Sequence, residues 1–236
     1  MTDPQPNPGS SRQTTINKHA ALLALARKRQ ANPWEGYKAI GGYHGGAYEC
    51  DFVSPYTKTA GNVDSEIFVM LQDWCSDSLL SKPLDPKIAD LGHLPRLPTN
   101  RNLAKMLQAC FGKTLADVYG TNLFPFIKPG NMSAPIPMEH MVQAAREFGL
   151  PQIRIVRPRM VICLGLATFT ALQQACGINT SGDFPAAIAS PFDFEGARIW
   201  CQAHTGARGQ NNRNKDGVDR VSQDWQRMKL DVFGAA

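Results

Sequence analysis

The clearest pattern along the chain is a series of short, nearly continuous apolar runs, each ending in a polar loop and followed by residues at helical spacing. EIFVML at 66–71 is the first such run, and QDWCSDS follows it. DVYGTNLF at 117–124, RMVICLG at 159–165 and ARIWCQA at 197–203 read as three further strands. A run that is apolar at nearly every position predicts a strand buried on both faces, because a half-exposed strand would alternate. Between the runs, Leu103, Met106, Leu107 and Cys110 predict one helix over 102–111. Met138, Met141, Val142, Ala145 and Phe148 predict a second over 138–148, with Gly149 ending it and Pro151 starting a short further helix. LATFTALQQAC at 166–176 predicts a third. Val218, Val221, Trp225, Met228 and Val232 predict the last, over 216–233. Strands alternating with helices predict an α/β fold: a three-layer α/β/α arrangement with a central, mostly parallel four-stranded sheet.

The flanking segments are read by their breakers. Residues 1–13 are rich in Pro, Asn, Gln and Ser and are expected to form a disordered tail. A helix is expected from Thr14 or Thr15 to Ala31, stopped at Asn32-Pro33. The basic run Arg27-Lys28-Arg29 then reads as a solvated helix end. GYKAIGGYHGGAYECDF, from Gly36, reads as loop or irregular hairpin, and 81–100, with four prolines, as a long loop. One domain over 14–236 accounts for the rest.

In such sheets ligands bind beyond the carboxyl ends of the strands. That rule selects Gln72 to Cys75, Asn122 to Lys128, Gly165 and His204 to Arg213. An acid, Asp73, an amide, Asn122, and an imidazole, His204, each stand just past a strand end. Any one of them alone is an ordinary turn former or hydrogen bonder. The three in this order point to chemistry.

Composition changes the picture little. There are 236 residues, 43% of them hydrophobic, and a formal charge of +5 that would suit an anionic partner. No stretch of 18 apolar residues predicts a membrane span, and the first residues do not resemble a secretory signal. The six cysteines are scattered with no C-x-x-C pair, which predicts reduced cytoplasmic thiols and no metal site. The run 66–71 lacks a glycine-rich phosphate loop, which argues against a nucleotide cofactor.

FVMLQDWCS, TNLFPFIKPGN, VRPRMVICLGLATFTAL and the His204-Thr205-Gly206 loop together resemble the motifs of the uracil-DNA glycosylase superfamily, above all its thermophilic-type bacterial subfamily. The resemblance spans about Ser65 to Phe233. It implies excision of uracil from DNA, with Asp73 stabilising a cationic sugar and activating water, and His204 donating to the departing base. It implies that Gln72, Asn122, Trp74, Cys75 and Phe124 form the base pocket. Asn122, with a donor and an acceptor side by side, would read uracil O4 and N3–H and reject cytosine. Trp74, Phe124 and Phe126 are the candidates to stack on the flipped base. Arg208, Gln210, Arg213 and Lys215, on the loop after His204, are expected to meet DNA. The chain departs from the superfamily at Leu71 for glycine, Trp74 for proline, Cys75 for the tyrosine that excludes thymine's methyl, and Thr205-Gly206 for Pro-Ser. Lys128 and Pro129 follow without the subfamily's iron–sulfur cysteine, so no cluster or other cofactor is expected. A monomer acting on DNA in the cytoplasm is expected. Excision of another deaminated base, and binding of uracil-containing or abasic DNA without turnover, remain alternatives.

Overall fold

The structure is a computed structural model that describes residues 17–179 and 182–234. The expected tail at 1–13, and Thr14 and Thr15 as helix caps, lie outside the described residues. Helix α1, Lys18–Ala31, is capped by the Asn17 side chain, which accepts from the Ala20 N–H at 3.1 Å.

The strands are β1, Ile67–Asp73; β2, Tyr119–Phe124; β3, Met160–Leu164; β4, Phe192–Phe194; and β5, Ala197–Gln202. They form one sheet in the order β2-β1-β3-β5-β4. Four run parallel, and β4 pairs antiparallel with β5. The sheet therefore has five strands where the apolar runs predict four. β4 is three residues long and only its first is buried, so it leaves no continuous apolar run to read.

Alternation along the strands divides the core in two. Phe68 and Met70 of β1, Val161 and Cys163 of β3, and Ile199 and Cys201 of β5 share one cluster. It is covered by α5, Met138–Ala144, α6, Leu150–Val156, and α7, Leu166–Ala175. Ile67, Val69, Met160, Ile162 and Trp200 point the other way. There Leu103 and Leu107 of α4, Pro98–Phe111, and Val221, Trp225 and Met228 of α10, Arg220–Phe233, cover them. Both faces of the sheet are thus buried, which gives the three α/β/α layers and explains why the runs are apolar throughout.

Several boundaries differ from expectation for local reasons. Gly149 does not end a helix: a π turn, Ala145–Gly149, carries α5 into α6. A Cβ at Gly149 would lie 2.6 Å from Leu123 Cδ1, so glycine here allows close packing on the sheet. The segment 81–100 holds α3, Pro86–Leu91, capped by Asp85, and the first three residues of α4. Both helices begin with proline at their first turn, where its missing N–H costs nothing. Short helices α2, Asp77–Leu80, and α8, Phe184–Ala189, complete the connections before and after β3. The expected loop after His204 contains α9, Ala207–Arg213. Arg29 is not solvated: it is 1% exposed, pairs with Glu49, and donates to the Cys50 and Phe52 carbonyls. That knot fixes α1 to the segment preceding β1, whose last part pairs along the outer side of β2 through the Ala60 carbonyl and the Gly61–Tyr119 bridge.

Candidate active site

The chain adds β2 on one side of β1 and β3 on the other, a reversal of strand order that opens a crevice at the carboxyl ends. A cavity of about 560 Å³ lies there, within the ~300–1,000 Å³ usual for small-ligand sites. Gln72, Asp73, Trp74, Cys75, Asn122 and His204 all line it. Six residues expected from three separate sequence segments are therefore brought together.

Asp73 is the last residue of β1. Its Oδ1 accepts from the Gln72 side-chain amide at 3.2 Å, and its Oδ2 stands 3.0 Å from the ammonium of Lys128. The Lys128 and Asp73 side chains are only 2% and 8% exposed. Apart from this ion pair, Oδ2 has no protein partner among the described residues and keeps a lone pair for a ligand. Burial raises the Asp73 pKa above the ordinary carboxylate value, and Lys128, Gln72 and His204 oppose that rise. Lys128 is itself anchored by donating to the Met132 carbonyl at 2.7 Å.

His204 stands two residues beyond β5. Its Nδ1 accepts from the Gly206 N–H at 3.0 Å, so in the neutral ring the proton sits on Nε2. Burial lowers its pKa, and the charge of Asp73 opposes the drop. A neutral imidazole with its N–H presented to the cavity can donate without carrying charge. The backbone around it is tightly built. A Cβ at Gly209 would lie 2.2 Å from the His204 carbonyl oxygen, and Gln210 donates to that oxygen at 3.3 Å. Asn102 donates to the Thr205 carbonyl at 2.8 Å, and the Thr205 hydroxyl donates to the Thr99 carbonyl at 2.9 Å, which ties the loop to the start of α4.

Asn122 lies next to Leu71 in the β1–β2 register and is 1% exposed. The Ser54 hydroxyl donates to its Oδ1 at 2.6 Å and accepts from the Tyr56 N–H at 3.2 Å. In this orientation the amide turns its carbonyl toward Ser54. The –NH2 is left to donate, and Oδ1 retains a second lone pair.

Trp74 is held by donating its indole N–H to the Gly92 carbonyl at 2.7 Å. Gly92 has φ 72°, and a Cβ there would lie 1.7 Å from the Pro55 carbonyl oxygen, so no other residue fits. Cys75 is 3% exposed, and burial pushes its thiol up to about 12, so it serves as a small neutral wall and not as a nucleophile.

The remaining expected residues fall elsewhere. Phe124 and Phe126 are each 1% exposed and pack on Trp34 at ring distances of 5.9 and 5.1 Å. They belong to the core cluster, Phe124 as the last residue of the buried strand β2 and Phe126 two residues beyond it. Arg213 is not free to grip phosphate: its guanidinium makes two bonds to Asp224 of α10, at 2.6 and 2.9 Å. Arg208 and Lys215 are exposed, while Gln210 is spent on the His204 carbonyl. Ser54, Tyr56, His93 and Asn100 join the site without having been expected. The last three line the cavity, with the His93 ring 5.1 Å from that of Tyr56. No apolar or periodic signal marks them, since they come from turns and helix starts. Lys128 follows a strand end by four residues, and that position was the one available hint.

Among the described residues no helix is long and apolar enough to cross a membrane. Compared with protein-family models and with curated proteins, the chain has no match.

Proposed function

We propose that the chain is a DNA glycosylase of uracil-DNA glycosylase type, hydrolysing the N-glycosidic bond of deoxyuridine and leaving an abasic site. The observation that carries this reading is the convergence of Asp73, Asn122 and His204 on one cavity from the ends of three parallel strands. Their residue types suit the reaction, Asp73 acting as its carboxylate and His204 as its neutral ring. As the bond from C1′ to N1 breaks, positive charge develops on the sugar and negative charge on the base. Asp73, ionised, stabilises the sugar and accepts a proton from water, whose oxygen bonds to C1′. The neutral His204 donates from Nε2 to an oxygen of the leaving base, a contact that strengthens only as that charge grows. Asn122 donates its amide to O4 and accepts N3–H on Oδ1. Cytosine would set donor against donor at that position and leave buried polar groups unpaired. The nucleotide enters by leaving the base stack.

Hypoxanthine presents O6 and N1–H in the same donor and acceptor order, and Cys75 leaves room beside the pocket. The test therefore uses single- and double-stranded oligonucleotides carrying uracil, hypoxanthine, xanthine or thymine, followed by alkaline cleavage at any abasic site. Cleavage at uracil above all others supports the reading. Cleavage at hypoxanthine or xanthine alone moves the activity to that base. Tight retention of uracil DNA with no cleavage replaces the enzyme by a binder.

A further inference from the structure

A second concavity of about 690 Å³ adjoins the candidate active site and shares His93 and Asn100 with it. Its floor is one face of α4. Arg101, Ala104, Lys105 and Gln108 fall at i, i+3, i+4 and i+7, and all four line it. Arg101, Lys105 and Gln108 are exposed, and the lining contains no acidic residue. Neither cation takes part in an ion pair among the described residues. This contrasts with Arg213, whose charge is consumed by Asp224. Long cationic side chains kept one helical turn apart and unneutralised, beside the cavity that Asp73, Asn122 and His204 line, match a polyanion that passes the cavity mouth.

We propose that this α4 groove is the track for the sugar-phosphate backbone of the substrate strand. Arg101 and Lys105 neutralise phosphates flanking the nucleotide that occupies the cavity, and Gln108 adds a neutral donor. The proposal rests on the glycosylase reading for the identity of the occupant. The groove's junction with the cavity at His93 and Asn100 gives the strand a continuous path from the extruded nucleotide to its neighbours. α4 also clamps the His204 loop through Thr99 and Asn102, so a strand seated on it is held in fixed relation to the imidazole.

The experiment measures affinity for a duplex carrying a non-hydrolysable abasic analogue across a salt series, for the parent and for R101Q/K105Q. Losing two phosphate contacts lowers the salt slope by about 1.8 and the affinity by about 30-fold near 0.15 M salt. The control is K113Q/K229Q, which removes the same net charge from a groove elsewhere on the surface and leaves both quantities near the parent. Equal losses in the two double variants would mean that net charge alone acts, and would overturn the track. So would parent-like affinity in R101Q/K105Q. The glycosylase reading fails separately: if no base is released while R101Q/K105Q still loses affinity selectively, the track stands and the chemistry at the cavity must be renamed.

Discussion

Replacing Lys128 by methionine tests how the fold keeps a carboxylate charged where water is scarce. Methionine keeps most of the stem and removes the ammonium 3.0 Å from Asp73. Removing one partner of a buried pair typically costs ~3–5 kcal/mol, because the other charge is left uncompensated. Asp73 has an escape, since it can take up a proton. From its ordinary value of 3.8, protonation at pH 7 costs about 4 kcal/mol, at ~1.4 kcal/mol per pH unit, and at pH 5 only about 1.6. Those figures cap the loss. The folded-state pKa of Asp73 already lies above its unfolded value. Its contribution is therefore most favourable below the unfolded value and is lost as pH rises through the folded one. Lys128→Met pushes the folded value higher and extends that loss. At ~2–4 °C per kcal/mol for a chain of this size, the melting point should fall by up to about 15 °C at pH 7 and by no more than about 6 °C at pH 5. Asp73→Asn in the same background should recover most of the difference, because no buried charge then remains. Paired melting curves of the parent, both single variants and the double variant between pH 5 and 8 supply the measurement. A loss that stays constant with pH, or a double variant no better than Lys128→Met, would refute the electrostatic account and leave only packing.

Asp73→Asn should slow single-turnover base release by at least 100-fold while the protein stays folded; an unchanged rate would remove Asp73 from the chemistry. His204→Gln keeps a donor but not the ring held by Gly206, and its loss should appear in the rate at saturating DNA and not in affinity. Ser54→Ala frees the Asn122 amide to rotate and should narrow the uracil-to-cytosine preference while uracil release continues; unchanged selectivity would mean that Ser54 does not orient the amide. Arg213→Ala leaves Asp224 buried and alone, so it should lower the melting point by several degrees with an unaltered salt slope for DNA binding.

The layers of the fold are legible in the sequence because burial on both faces leaves its mark on every position of a strand. β1, β2, β3 and β5 read as apolar runs for that reason, and the helices between them show their inner faces at 3.6-residue spacing. β4 escapes because it is a short edge strand, and its pairing depends on the turn at Glu195 and Gly196, both at positive φ. The helix through Gly149 escapes because a glycine that packs tightly against Leu123 looks, in sequence, like one that ends a helix.

The site divides along the same line. Asp73, Asn122 and His204 are findable because each stands at or near the carboxyl end of a largely apolar strand, and topology alone brings such ends together. What sets their protonation and orientation comes from segments with no periodicity. Ser54 lies 68 positions from the Asn122 it fixes, and Lys128 must fold back from the loop after β2 to reach Asp73. Arg213 shows the converse. In sequence it is a cation on a glycine-bearing loop, the usual signature of a phosphate contact. In the fold Asp224, one helix later, pairs with its Nε and Nη2 and neutralises its charge. A charge is available to a ligand only if no nearer charge has claimed it, and that depends on pairings across elements. By that criterion Arg101 and Lys105 are open beside the cavity, since neither takes part in an ion pair among the described residues.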